Sequence, residues 1–144
     1  CETIASIYGN KLSHIVVTTK NNGAVPDLPV DCAVEVSSYI GSTGARPIAF
    51  GPLEPAERGW VQCMKNMELC VEEAAVTGDY GTLLQAFTIN PQIVAGAKAK
   101  RIMDELLIAH KKYLPQFADT IARLEEEGVT IKDDVARELT EKGL

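Results

Sequence analysis

The run Asn21-Asn22-Gly23, set between a β-branched stretch and a proline-containing one, is the part of this sequence best suited to meet a ligand. Asparagine amides donate and accept at once, so they can hydrogen-bond sugar hydroxyls, and loops at strand ends often face clefts. The same residues also shape tight turns, because Asn and Gly tolerate positive φ. Asn21 and Asn22 are therefore the candidate substrate contacts, with turn-shaping as the alternative role for both. Lys20 beside them, or Arg46, could offer a cation to a phosphate, although such side chains are commonly solvated.

Other chemistry is sparse. His14 and His110 have no Cys, His, Asp or Glu nearby at metal-ligand spacing, so the sequence implies no metal site of its own. Cys1, Cys32, Cys63 and Cys70 include no C-x-x-C pair. Cys63 and Cys70 stand two helical turns apart, roughly 10 Å, whereas a disulfide needs Cα atoms within about 7 Å. Asp27, Asp31 and Glu35 give Cys32 an acidic neighbourhood, the opposite of what activates a thiolate. Glu72-Glu73 and Glu125-Glu126-Glu127 read as solvated helix faces, and no G-x-G-x-x-G follows a strand to cradle a dinucleotide.

The elements that position these residues come strands first and helices after. Cys1–Tyr8 reads as the last part of a helix closed by Gly9-Asn10. Ile15-Val16-Val17-Thr18-Thr19 is β-branched throughout and predicts a strand. Residues 31–40 predict a second strand, and Gly41-Ser42-Thr43-Gly44 a hairpin into a third over 46–50. From Pro55, apolar Trp60, Met64, Met67, Val71 and Ala74 recur with helical spacing and predict one buried face. Gly78 ends that helix, and Asp79 caps the next over 80–88. A helix over 95–113 is expected to bury Ile102, Met103, Leu106 and His110. Phe117, Ile121 and Leu124 mark one tail helix, stopped by Gly128; Val135 and Leu139 mark another. This order predicts an α+β fold, short antiparallel strands followed by a helical bundle.

With 144 residues, 46% hydrophobic and 24% charged, the chain has the composition of a globular protein with a real core. Its net charge of −6, concentrated after Asp119, gives no basic patch for nucleic acid. No apolar run approaches the ~20 residues that would span a membrane. Scattered thiols fit a reducing, cytoplasmic compartment. The first residue, Cys1, is not Met, as expected of a segment cut from a longer reading frame.

Three stretches together resemble the C-terminal half of the NAD-dependent glycoside hydrolases of family 4, and most of all their 6-phospho-β-glucosidase branch. They are Asn21–Pro29 with Ala33-Val34-Glu35-Val36, then Glu73–Tyr80, then Leu106–His110 before Tyr113–Phe117. Gly51-Pro52-Leu53 with Arg58-Gly59, and Phe87-Thr88-Ile89-Asn90-Pro91, are similar to the same branch. The resemblance covers residues 1–117 as the family's C-terminal domain, with 118–144 as a helical extension.

The resemblance implies a lactate/malate dehydrogenase-like architecture with an N-terminal Rossmann domain and this α+β domain after it. It implies a cytoplasmic, homo-oligomeric glycosidase acting on phosphorylated glucosides with NAD and a divalent metal, typically manganese. NAD would oxidise the sugar at C3, a tyrosine would remove the acidified C2 proton, the aglycone would leave, and water and hydride would return. Such a route dispenses with the usual carboxylate pair. The nucleotide-binding glycines, metal ligands and tyrosine base of the family fall upstream of Cys1, so no catalytic, cofactor or metal residue is assigned here. Neither Cys32 nor Tyr8 replaces them, and the chain alone is expected to be inactive and to bind no cofactor. Two alternatives stand beside this. One is a related specificity, 6-phospho-α-glucosidase or α-galacturonidase; the other is a non-enzymatic helical oligomerisation or binding module.

Overall fold

The computed structural model describes residues 1–93, 96–132 and 141. The architecture is α+β, and the chain forms two compact units, Cys1–Gln62 and Cys63–Leu144. Among the described residues no helix is long and apolar enough to cross a membrane.

The first unit holds α1 (Glu2–Gly9) and an antiparallel sheet of β1 (Ser13–Lys20), β2 (Ala33–Gly41) and β3 (Gly44–Pro47), in the order β1-β2-β3. β1 and β2 pair without a break from Ser13↔Ile40 to Lys20↔Ala33. Alternate side chains therefore fall on one face, and Val34, Val36 and Ile40 of β2 are buried there. Val25, Cys32, Val34 and Val36 pack together, with Leu28 and Leu53 against them. The hairpin turns at Ser42-Thr43. Asn10, itself left-handed at the end of α1, accepts a hydrogen bond on Oδ1 from Ser42 N at 3.0 Å. Gly41 leaves room for this contact: a Cβ would stand 2.8 Å from both Asn10 Oδ1 and Leu12 Cδ2, and those side chains would have to shift.

α2 (Pro55–Thr77) opens in the first unit and ends in the second, where α3 (Tyr80–Ile89), α4 (Ala97–Ala109) and α5 (Ala118–Glu126) follow. The junction between α2 and α3 is built as the sequence predicts. Gly78 adopts φ +73°, and Asp79 accepts on Oδ1 from Thr82 N at 2.6 Å. That hydrogen bond is the main reason the Asp79 carboxyl titrates below its usual range. Ala74, Met103, Leu107, Phe117, Ile121 and Leu124 form the core of this unit. The sequence division at Phe117 thus falls inside one core rather than between two.

Several sequence expectations need correction. The second strand starts at Ala33, because Asp31 belongs to the turn before it, and the third ends at Pro47, which cannot donate to a ladder. The expected helix over 95–113 stops at Ala109; Lys111–Tyr113 and Pro115–Phe117 are separate 3₁₀ turns. The buried row of α4 is Ala99, Met103 and Leu107, so Ile102 and Leu106 lie exposed and His110 caps the helix in solvent. In α2 only Ala74 is buried, while Trp60 and Val71 are exposed. In α4 the expected face was therefore right only at Met103, and in α2 the apolar spacing is present but only Ala74 of that row is buried. The helix expected around Val135 and Leu139 lies outside the described residues, as does Ala95.

Candidate ligand-facing loop

β1 ends at Lys20, and the chain crosses to β2 through residues 21–32. Asn21 is the post around which that crossing is built. It is fully buried. Its Nδ2 donates to the carbonyls of Val25 (2.9 Å), Leu28 (3.2 Å) and Pro29 (3.0 Å), and its Oδ1 accepts from Val25 N at 2.8 Å. One amide engages four backbone groups of the loop, two of which, the carbonyls of Val25 and Pro29, also accept from Leu28 N and Cys32 N. Turn-shaping, the alternative reading for both asparagines, describes Asn21: no polar atom of its side chain is left to offer.

Asn22 differs entirely. It takes φ 47°, followed by Gly23 at 84°, and both are exposed. Asn22 N donates to Val30 O and Ala24 N to Asn21 O, each at 2.9 Å, which pins the tip from both sides. A Cβ on Gly23 would meet nothing within 4 Å. The tip is therefore open, and it presents one primary amide beside the exposed Lys20.

The far side of the loop is tied down by Asp27, which linear reading noted only for its charge. Asp27 Oδ2 accepts from Leu53 N at 2.6 Å, and Oδ1 lies 3.6 Å from the Arg58 guanidinium. Gln62 Nε2 donates to Asp27 O at 2.9 Å, and Phe50 N to Ala24 O at 2.8 Å. Arg58 thus joins the loop as a half-exposed cation; nothing local in the sequence pairs it with Asp27 across thirty-one positions. Of the other candidates, Arg46 donates to Thr43 Oγ1 in the hairpin. His14 lies against the Tyr39 ring at 5.7 Å. Cys32 is buried, and Tyr8 is exposed on α1.

The second unit carries two further features. Tyr80 donates its hydroxyl to Asp104 Oδ1 at 2.7 Å, and Lys100 Nζ reaches Oδ2 at 2.6 Å. Burial, then the Asp104 carboxylate, raises the Tyr80 pKa. Hydrogen bonding to Asp104, then to Tyr80, raises that of Lys100. Every member of this cluster is satisfied, as a structural network requires. An open apolar groove of about 420 Å³ lies elsewhere, with Leu83, Phe87, Leu106 and Leu114 among its walls and His110 at its side.

Residues 1–93 match the model of the family 4 glycosyl hydrolase C-terminal domain. The chain belongs to glycosyl hydrolase family 4. It is 50% identical over 121 residues to a protein of Bacillus subtilis (strain 168) named "Probable 6-phospho-beta-glucosidase", covering 84% of this chain and 27% of that protein. A 6-phospho-beta-glucosidase of Escherichia coli (strain K12) is 31% identical over 127 residues, 88% of this chain and 28% of its own length. A solved 6-phospho-alpha-glucosidase from gut microorganisms, in complex with NAD and Mn2+, matches with a TM-score of 0.77 at 28% identity. That match covers 80% of this chain and 26% of the solved one. The chain thus spans about a quarter of the length of the relatives it matches.

The family 4 domain described here does not itself fit either group. Among the described residues no three His, Cys, Asp or Glu side chains come together to hold a metal ion. The thiols and imidazoles are dispersed, with Cys32 buried against apolar residues and both histidines exposed on different elements. Nor, among the described residues, does a strand run into a glycine-rich turn and helix that would receive a pyrophosphate.

Proposed function

We propose that this chain is the C-terminal quarter of a cytoplasmic, homo-oligomeric 6-phospho-β-glucosidase. NAD and a divalent metal such as manganese are held by polypeptide outside these residues. The observation that carries the reading is the 50% identity over 121 residues to the Bacillus subtilis protein. NAD supplies the oxidation and return of hydride when bound; no step of that chemistry runs through a residue of this chain. The part played by these residues is to wall the substrate cleft.

Within that wall the residue in contact with the phosphorylated glucoside is Asn22, on a tip held by Asn21 and Asp27. Its amide is exposed and oriented by a fixed backbone, the state in which a polar group can meet a sugar hydroxyl at little entropic cost. Lys20 sets an exposed cation beside the tip, suited to a phosphorylated ligand, while Arg58 is paired with Asp27.

The 6-phospho-α specificity is the second reading, favoured by the fold match to the solved α-glucosidase at TM-score 0.77. Full-length enzyme assayed on chromogenic 6-phospho-β- and 6-phospho-α-glucosides, with NAD, manganese and reductant, separates them. Hydrolysis of the β anomer alone is expected; hydrolysis of the α anomer alone would replace the first reading with the second. The 144-residue chain in the same assay is expected to show no turnover.

A further inference from the structure

The chain has five asparagines, Asn10, Asn21, Asn22, Asn66 and Asn90, and the peptide group after each is held differently. An asparagine loses its amide without an enzyme when the backbone nitrogen of the next residue attacks the side-chain carbonyl carbon. The attack needs a free N–H on that next residue, little bulk beside it, and an amide not tied down elsewhere. Lys11 N donates to Ser6 O at 3.1 Å, and Asn22 N to Val30 O at 2.9 Å, so the nitrogens after Asn10 and Asn21 are engaged. Met67 N lies inside α2 and belongs to the helical ladder. Pro91 has no N–H to lose. Among the described residues, Gly23 alone follows an asparagine with an N–H that bonds to no protein group. The amides differ in the same sense. Oδ1 of Asn10 holds Ser42 N and Oδ1 of Asn21 holds Val25 N, whereas the Asn22 side chain holds no group of the loop. Gly23 brings no Cβ, and the space a Cβ would take is empty to 4 Å.

We propose that Asn22 is a modification site, deamidating spontaneously through a cyclic imide with water as the only co-reactant. Gly23 N gives up its proton to solvent and bonds to Asn22 Cγ; the Cγ–Nδ2 bond breaks and ammonia leaves. Water then opens the imide. Opening at Cγ leaves aspartate, and opening at the Asn22 backbone carbonyl leaves isoaspartate, in which the chain runs on through the side chain. Nothing is oxidised or reduced. The two pins of the tip, Asn22 N on Val30 O and Ala24 N on Asn21 O, hold the backbone on either side of the reacting atoms and neither of those atoms. Either product exchanges a group that donates and accepts for a carboxylate that only accepts. The consequence for activity rests on the reading of Asn22 as the substrate contact. On that reading a negative charge comes to face a phosphorylated, anionic ligand, and binding weakens. The chemistry of the modification itself does not depend on that reading.

The test ages the full-length enzyme for days in mildly alkaline buffer, digests it with trypsin and follows the peptide that begins at Asn21 by mass spectrometry. Fragment ions separate Asn21 from Asn22, and aspartate from isoaspartate. Asn22 is expected to convert at least about tenfold faster than Asn21, whose amide must first give up its buried hydrogen bonds. Asn10, tied to Ser42 N, is expected to lag in the same way. An Asn22 that stays intact, or that converts no faster than Asn21 and Asn10, would overturn the proposal. Enzyme enriched in the converted form, and the Asn22→Asp variant, are then assayed on the chromogenic 6-phospho-β-glucoside. Each should show KM raised about tenfold or more. Conversion that leaves KM unchanged would uphold the modification site and refute the contact of Asn22 with substrate, so the two readings fail separately.

Discussion

Gly78 gives the sharpest quantitative test of the packing in the second unit. A Cβ added there would stand 2.1 Å from Gln116 O and 3.0 Å from the same residue's carbonyl carbon, on a backbone held at φ +73°. Left-handed backbone costs an alanine roughly 1–2 kcal/mol. The clash adds to this. Ordinary contact begins near 3.4 Å, so the Gln116 carbonyl must retreat by roughly 1.3 Å. Gln116 adjoins Phe117, which is 3% exposed and packs with Met103 and Leu107, so the retreat disturbs the core. Overpacking of that kind costs about 1–3 kcal/mol. Gly78→Ala should therefore destabilise by about 2–5 kcal/mol, which lowers the urea midpoint by roughly 1–3 M for a domain of this size. Gly128→Ala is the matched control: φ is +77°, but nothing lies within 4 Å. It should lose only the backbone share, about 1–2 kcal/mol. Both are read by far-UV circular dichroism in urea. Equal losses for the two variants would refute the close approach of Gln116 to Gly78.

Two further outcomes follow from the loop and the cap. Asn21→Ala removes the partner of Val25 N and Leu28 O, while Val25 O and Pro29 O keep Leu28 N and Cys32 N, and should cost about 2–3 kcal/mol in urea unfolding. Asn22→Ala should cost less, about 1 kcal/mol, because its side chain holds no loop group and only its left-handed φ of 47° disfavours alanine. For Asp79 the folded carboxyl titrates below its ordinary 3.8. Its contribution is therefore present above that value and is lost as pH falls through the folded pKa. Asp79→Asn keeps a capping oxygen, so the acid-side fall in melting temperature should become shallower below about pH 4. An unchanged acid limb would show that the Thr82 hydrogen bond does not set this titration.

Much of the fold was legible because local chemistry and tertiary structure agree. The β-branched run became β1, the Gly-Ser-Thr-Gly stretch became the hairpin turn, and Gly78-Asp79 ended one helix and capped the next. Positions failed where the decision lies elsewhere in the chain. Trp60, Val71, Ile102 and Leu106 follow helical apolar spacing as clearly as Met103 does, yet spacing cannot say whether anything covers a face. In the loop, Asn21 and Asn22 are chemically identical neighbours. One is buried with its amide fully engaged and the other is exposed at positive φ. Only the path of the backbone through Val25, Leu28 and Pro29 distinguishes them. Arg58 and Asp27, and Tyr80 with Asp104, were silent for the same reason: their pairing depends on how separate segments are brought together.

The most direct measurement replaces the matching C-terminal segment of the Bacillus subtilis relative with this chain. The chimera is then assayed on a chromogenic 6-phospho-β-glucoside with NAD and manganese. The account predicts turnover close to that of the parent enzyme, and a rise in KM when Asn22 is changed to Ala within the chimera. A chimera that folds and binds NAD but does not hydrolyse the β-glucoside would contradict it.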